Sequence, residues 1–93
     1  MKIVYTKNAY NDIQRLKEFI TIKNPAAARK IVTKLVNSVD NLLVFPQLGK
    51  VVQASPDPDS LRDLYILDYH IRYLILKHSI QIVRIWHQKE DRN

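Results

Sequence analysis

The sequence predicts an α+β fold of order β-α-α-β-β-β, an antiparallel sheet with an αα-hairpin packed on one face. Three observations carry this. Two apolar stripes at helical spacing follow one another between residues 7 and 45, parted only by Lys23-Asn24-Pro25. Three runs of alternating apolar residues fill positions 61–88. A short alternating run opens the chain.

That first run, MKIVYT, sets Ile3 and Tyr5 against Lys2, Val4 and Thr6, the pattern of a short strand. In the next, Ala9, Ile13, Leu16 and Ile20 form one helical stripe, with Asp12, Arg15, Lys17 and Glu18 mostly off it. Thr6 or Asn8 is placed to cap its start. The second helix starts with Asn24 as N-cap and Pro25 at the first helical position, where a missing N–H costs nothing. Its stripe is Ala28, Ile31, Leu35, Val39 and Leu42, and Pro46 ends it at or before Phe45. So short a break makes the two helices an antiparallel hairpin. The connector from Pro46 to Ser60 contains Gly49, the only glycine, expected at positive φ, and the exposed loop SPDPDS. The strand runs LRDLYIL, YHIRYLILK and IQIVRIWHQ then follow with hairpin-length breaks at Asp68 and His78-Ser79.

Such a fold covers one sheet face with helices and leaves the other to water or a partner. In YHIRYLIL the set Tyr69, Ile71, Tyr73, Ile75 reads as the covered face, and His70, Arg72, Leu74, Leu76 as the open one.

The chain has 93 residues, read as one domain over 1–93 with a thin core. It has no cysteine, hence no disulfide framework or thiolate metal site, which fits a cytoplasmic protein. No apolar run reaches the roughly 18 residues of a membrane span, and no signal-peptide pattern follows Met1. The net charge is +6, unevenly placed: Met1 to Phe45 holds eight basic and three acidic residues, Pro46 to Asn93 seven and six. A basic excess in the helical half points to an anionic partner, whether nucleic acid, ribosome or an acidic protein segment.

Arg62, Arg72 and Arg84 lie in strand runs. A guanidinium on a sheet face can bind phosphate or carboxylate bidentately, or can form a cross-strand ion pair with Asp63 or Asp68. Alternation puts Arg84 with Ile80, Ile82 and Trp86, which favours the ion pair, whereas Arg62 at the mouth of its strand favours function. His70 and His87 could serve as base and acid for attack by a ribose 2′-OH, with arginines on the charged transition state. They could equally satisfy backbone. Tyr65, Tyr69, Tyr73 and Trp86 could stack on bases, though a stripe at period two is ordinary sheet packing. His78 falls in a turn and has no assigned role. Three scattered histidines show no metal-ligand spacing, and no glycine-rich phosphate loop exists, so no cofactor or metal is expected.

Taken together, NPAAARKIV, VFPQLGK, LRDLYILDYHIRYLI and IQIVRIWHQKEDR resemble, in order and spacing, the RelE/ParE superfamily of toxins from bacterial type II toxin–antitoxin systems. The resemblance spans nearly the whole chain and implies the same β-α-α-β-β-β fold. It also implies one of two activities. RelE-like members cleave mRNA on the ribosome with basic residues of the sheet face; ParE-like members inhibit DNA gyrase. Here His70 stands after Tyr69, where the nucleases often carry arginine, and the ending RIWHQKEDR is similar to the ParE-like one.

The resemblance therefore implies a ParE-like toxin that binds an essential target, DNA gyrase, through Arg62, Arg72, His87, Lys89 and Arg92. A cognate antitoxin would neutralise it by holding the helical face at Arg29, Lys30 and Lys34, with DNA met only through that antitoxin. The alternatives are a ribosome-dependent endoribonuclease using His87, His70 and Arg62, and a degenerate toxin that only binds antitoxin.

Overall fold

The computed structural model describes residues 1–52 and 60–90. Its elements are β1 (Lys2–Tyr5), α1 (Lys7–Lys23), α2 (Pro25–Asp40), β2 (Lys50–Val51), β3 (Leu61–Ile66), β4 (Tyr69–Ile75) and β5 (Ser79–His87). A single 3-10 turn, Asn41–Leu43, extends α2 before Pro46 stops it. Thr6 caps α1 by accepting the Ala9 N–H, and Asn24 caps α2 by accepting that of Ala27.

The sheet order is β1-β5-β4-β3-β2. The predicted three-stranded meander β3-β4-β5 is antiparallel. Two features go beyond the prediction. Lys50 and Val51 in the connector add a short edge strand against β3. And β1 pairs in parallel with β5, so the sheet is mixed. Beside β4, β5 has one free edge, and the first strand fills it. A parallel pair needs a long crossover, which the rest of the chain provides.

The odd residues of β4 are buried as the alternation predicts: Tyr69, Ile71 and Tyr73 meet Ile80, Ile82 and Ile85 beneath Ala9, Leu16, Leu35, Val39 and Leu42 of the helical layer. Each buried Ile or Leu contributes about 1.5–3 kcal/mol.

β5 breaks its own alternation. Arg72 pairs with Arg84 but Tyr73 pairs with Ile82, so Val83 is an extra residue, a β-bulge. Ile82 and Ile85 both reach the core across it. Arg84 therefore does not share a face with Ile80 and Ile82; it is opposite Arg72.

Gly49 is also corrected: no described glycine has positive φ. The residue is glycine for want of room. A Cβ there would lie 2.7 Å from both Cε1 and the hydroxyl of Tyr73 and 2.9 Å from the Asp63 carbonyl. The fully buried Tyr73 donates to the Pro46 carbonyl at 2.6 Å and accepts the Gly49 N–H at 2.9 Å. Gly49→Ala must displace that ring and is expected to cost about 2–3 kcal/mol by overpacking; a fall in Tm measured by calorimetry checks this. Among the described residues the one positive φ belongs to Leu67, at 55°, in the β3–β4 turn.

Candidate functional site

The open sheet face carries two cross-strand rows. In one, Tyr65, His70 and Trp86 are in register across β3, β4 and β5. The His70 ring is tilted between the other two, at 4.3 Å from Tyr65 and 4.1 Å from Trp86. In the next row, Asp63 faces Arg72 and Arg72 faces Arg84. Arg72 donates to both oxygens of Asp63, at 2.9 and 3.0 Å, and its guanidinium lies 5.4 Å from the Trp86 ring. His70 Nε2 comes within 2.8 Å of Asp63 Oδ2.

Burial pushes the Asp63 carboxyl up, but the Arg72 hydrogen bonds and the His70 contact outweigh it and hold it below the usual carboxylate range. Asp63 in turn holds Arg72 above the usual arginine value. Lys50 reaches over Tyr65 from β2, at 5.9 Å. Among the described residues the face is thus an aromatic row bordered by Lys50 and Arg72, with the Asp63 carboxylate already paired.

A second feature lies on the helix side at the end of the sheet. A groove of about 600 Å³ is lined by Leu16, Phe19, Tyr69 and His87, with Arg15, Lys23, Lys89 and Glu90 around them. Phe19 is 58% exposed and the neighbouring Ile22 84%, although both are large apolar residues of α1. His87 meets Tyr69 edge to face at 5.1 Å. Its Nδ1 accepts the Lys89 N–H at 3.0 Å, which leaves the neutral ring's proton on Nε2. Burial, with Asp68 and Glu90 nearby, raises the Tyr69 phenol. Glu90 closes the turn by accepting from the His87 N–H and from Arg15.

The residues singled out from sequence are thus dispersed. His70 and Arg72 share the open face, and His87 and Lys89 share the groove. Arg62 pairs with Tyr73 on the helix side, toward the other end of the strands, and donates to the carbonyl of Gly49 at 2.8 Å. It clamps the loop before β2. Arg29, Lys30 and Lys34 are exposed on α2 and line shallow depressions of their own. Arg92 lies outside the described residues. Among the described residues, no cluster of His, Asp or Glu could hold a metal ion, and no helix is long and apolar enough to cross a membrane.

Sequence reasoning missed Asp12, which is 4% exposed. Past the end of β1, Thr6 donates to the carbonyls of Ile82 and Val83, and Asp12 accepts the Ile85 N–H at 2.9 Å. Arg84 reaches the same carboxylate with two hydrogen bonds, at 2.8 and 3.0 Å. The start of α1 therefore takes over the β5 edge where β1 leaves it, and Arg84 serves in that junction.

Two helices thus pack against a five-stranded mixed sheet and leave an open sheet face and an apolar groove. The match to the model of the ParE toxin of the type II toxin–antitoxin system parDE covers residues 3–92, and the chain belongs to that family. It is 30% identical over 87 residues to Toxin RelE2 of Caulobacter vibrioides, covering 92% of this chain and 93% of that one. It is 28% identical over 93 residues to Toxin RelE1 of the same organism, covering 97% and 96%. The fold matches a chain of the chromosomal ParDE system from P. aeruginosa with a TM-score of 0.78 at 23% identity, covering 94% and 95%. The family implies an antitoxin partner.

Proposed function

We propose that this toxin acts in the cytoplasm by binding DNA gyrase, with the open sheet face as the target-binding surface. His70, Arg72 and the ring row they belong to would make the contacts. The observation that supports binding over cleavage is the separation of His70, His87 and Arg62. General acid–base chemistry needs its groups within hydrogen-bond reach of one reacting centre. Here His70 is sandwiched on one face, His87 faces the groove on the other, and Arg62 is tied to backbone carbonyls.

The antitoxin would seat an apolar anchor on Phe19 in the groove, its carboxylates meeting Lys23 and Lys89. Burying an exposed aromatic beside a cationic rim suits an acidic segment that folds on binding. Arg29, Lys30 and Lys34, which the sequence assigns to the antitoxin, have no exposed large apolar residue beside them on α2.

The second reading is a ribosome-dependent endoribonuclease, favoured by the names of the two Caulobacter relatives. Pulse labelling after induction without antitoxin separates the two. DNA synthesis failing before protein synthesis is expected. Protein synthesis failing first would establish the nuclease, and growth unaffected by the intact chain would leave only an antitoxin-binding module.

A further inference from the structure

The outer face of α2 is an uninterrupted polar stripe. Arg29, Lys30, Thr33, Lys34 and Asn37 recur at spacings of one, three, one and three, and all are exposed. No carboxylate interrupts it: the only acidic residue of α2 is Asp40, and the first turn of the helix has none. Among the described residues, the side chains of Arg29, Lys30 and Lys34 make no ion pair or hydrogen bond. The other described arginines are engaged: Arg15 with Glu90, Arg62 with Gly49, Arg72 with Asp63 and Arg84 with Asp12. Three cations without a partner among the described residues thus fall within residues 29–34 of one helix face, on a polar stripe roughly 12 Å long at 1.5 Å per residue, whereas the unpaired Lys2, Lys7 and Lys17 are spread over β1 and α1.

We propose that this stripe binds the phosphate backbone of duplex DNA directly, rather than DNA being met only through the antitoxin. The stripe's composition decides between polyanions. An acidic peptide that orders on binding needs apolar anchors to offset its entropy cost, and the stripe exposes none, whereas Phe19, Ile22, Val44 and Phe45 are exposed elsewhere. Single strands are held by stacking on aromatic rings, and α2 carries no aromatic residue. A duplex is already ordered, its phosphates can be met by a rigid row of cations, and Thr33 and Asn37 supply further phosphate hydrogen bonds. The proposal rests on the stripe alone and stands whether the toxin's target is gyrase or the ribosome.

The test is fluorescence anisotropy of the purified full chain with a 20-base-pair DNA duplex between 50 and 200 mM salt. Three phosphate contacts give a slope of log K against log salt of about −2.7. The variant Arg29→Gln/Lys30→Gln/Lys34→Gln is expected to bind about tenfold or more weakly with a slope near zero. The control Lys2→Gln/Lys7→Gln/Lys17→Gln removes the same charge elsewhere and is expected to keep the slope. Circular dichroism confirms that both variants fold. No binding by the parent chain, equal losses in both variants, or tighter binding to a glutamate-rich peptide than to the duplex would each overturn the proposal.

Discussion

Asp12→Ala is expected to destabilise the toxin by about 3 kcal/mol, since removing one partner of a buried ion pair costs about 3–5 kcal/mol and the Arg84 side chain retains some solvent, being 34% exposed. The carboxylate accepts two bonds from Arg84, one from Arg15 and one from the Ile85 N–H. Alanine leaves that buried N–H without an acceptor, which is the larger part of the loss. For a domain of this size the Tm falls by about 4–8 °C for each kcal/mol.

The same contact sets an acid dependence. Burial would raise the Asp12 carboxyl, but the bonds from Arg84, Ile85 and Arg15 outweigh it and hold it below the ordinary value. Asp63 is held low in the same sense. A depressed folded pKa gives stability that is complete above the unfolded value, near 3.9, and is lost as pH falls through the folded one. Asp12→Ala removes one of these two groups, so its Tm is expected to fall less steeply than the parent's below about pH 4. Equal Tm values at pH 7, or identical acid limbs, would show that the junction does not hold α1 to β5.

Phe19→Asp is expected to weaken antitoxin binding by roughly a hundredfold, the loss of a central aromatic anchor being worth about 2–4 kcal/mol. The side chain is 58% exposed, so the fold tolerates the change. Titration calorimetry with the cognate antitoxin measures the loss, and co-expression should no longer rescue growth although the variant still arrests it. Undiminished binding would place the antitoxin elsewhere.

Much of the fold is legible in the sequence because it is written in periodicity. Of the predicted stripe Ala28, Ile31, Leu35, Val39, Leu42 and the alternation Tyr69, Ile71, Tyr73, Ile75, all are buried except Ile31 and Ile75, which are half-buried against the core. Asn24-Pro25 fixes the start of α2. What was not legible depends on long-range partners. Asp12 sits three residues after Ala9 and four before Leu16, hence on the buried face, yet a charge there reads as solvent-facing until β5 supplies Ile85 and Arg84. The bulge at Val83 shifts alternation by one and moves Arg84 to the row of Arg72. Two strand residues, Lys50 and Val51, are too few for a periodic signal. Gly49 reads as a turn residue because its crowding by Tyr73 comes from a strand 24 positions later.

The sequence offers candidate site residues by type but does not group them in space. Alternation sets His70 and Arg72 on the open face, but only the strand pairing places His87 and Arg62 toward opposite ends of the other face.

The central claim, inhibition of gyrase by binding, is tested most directly by supercoiling of relaxed plasmid by purified DNA gyrase with the toxin added. Supercoiling is expected to stop, or cleaved gyrase–DNA complexes to accumulate, and an equimolar amount of antitoxin to restore activity. Full supercoiling in an excess of toxin that arrests growth in cells would contradict it.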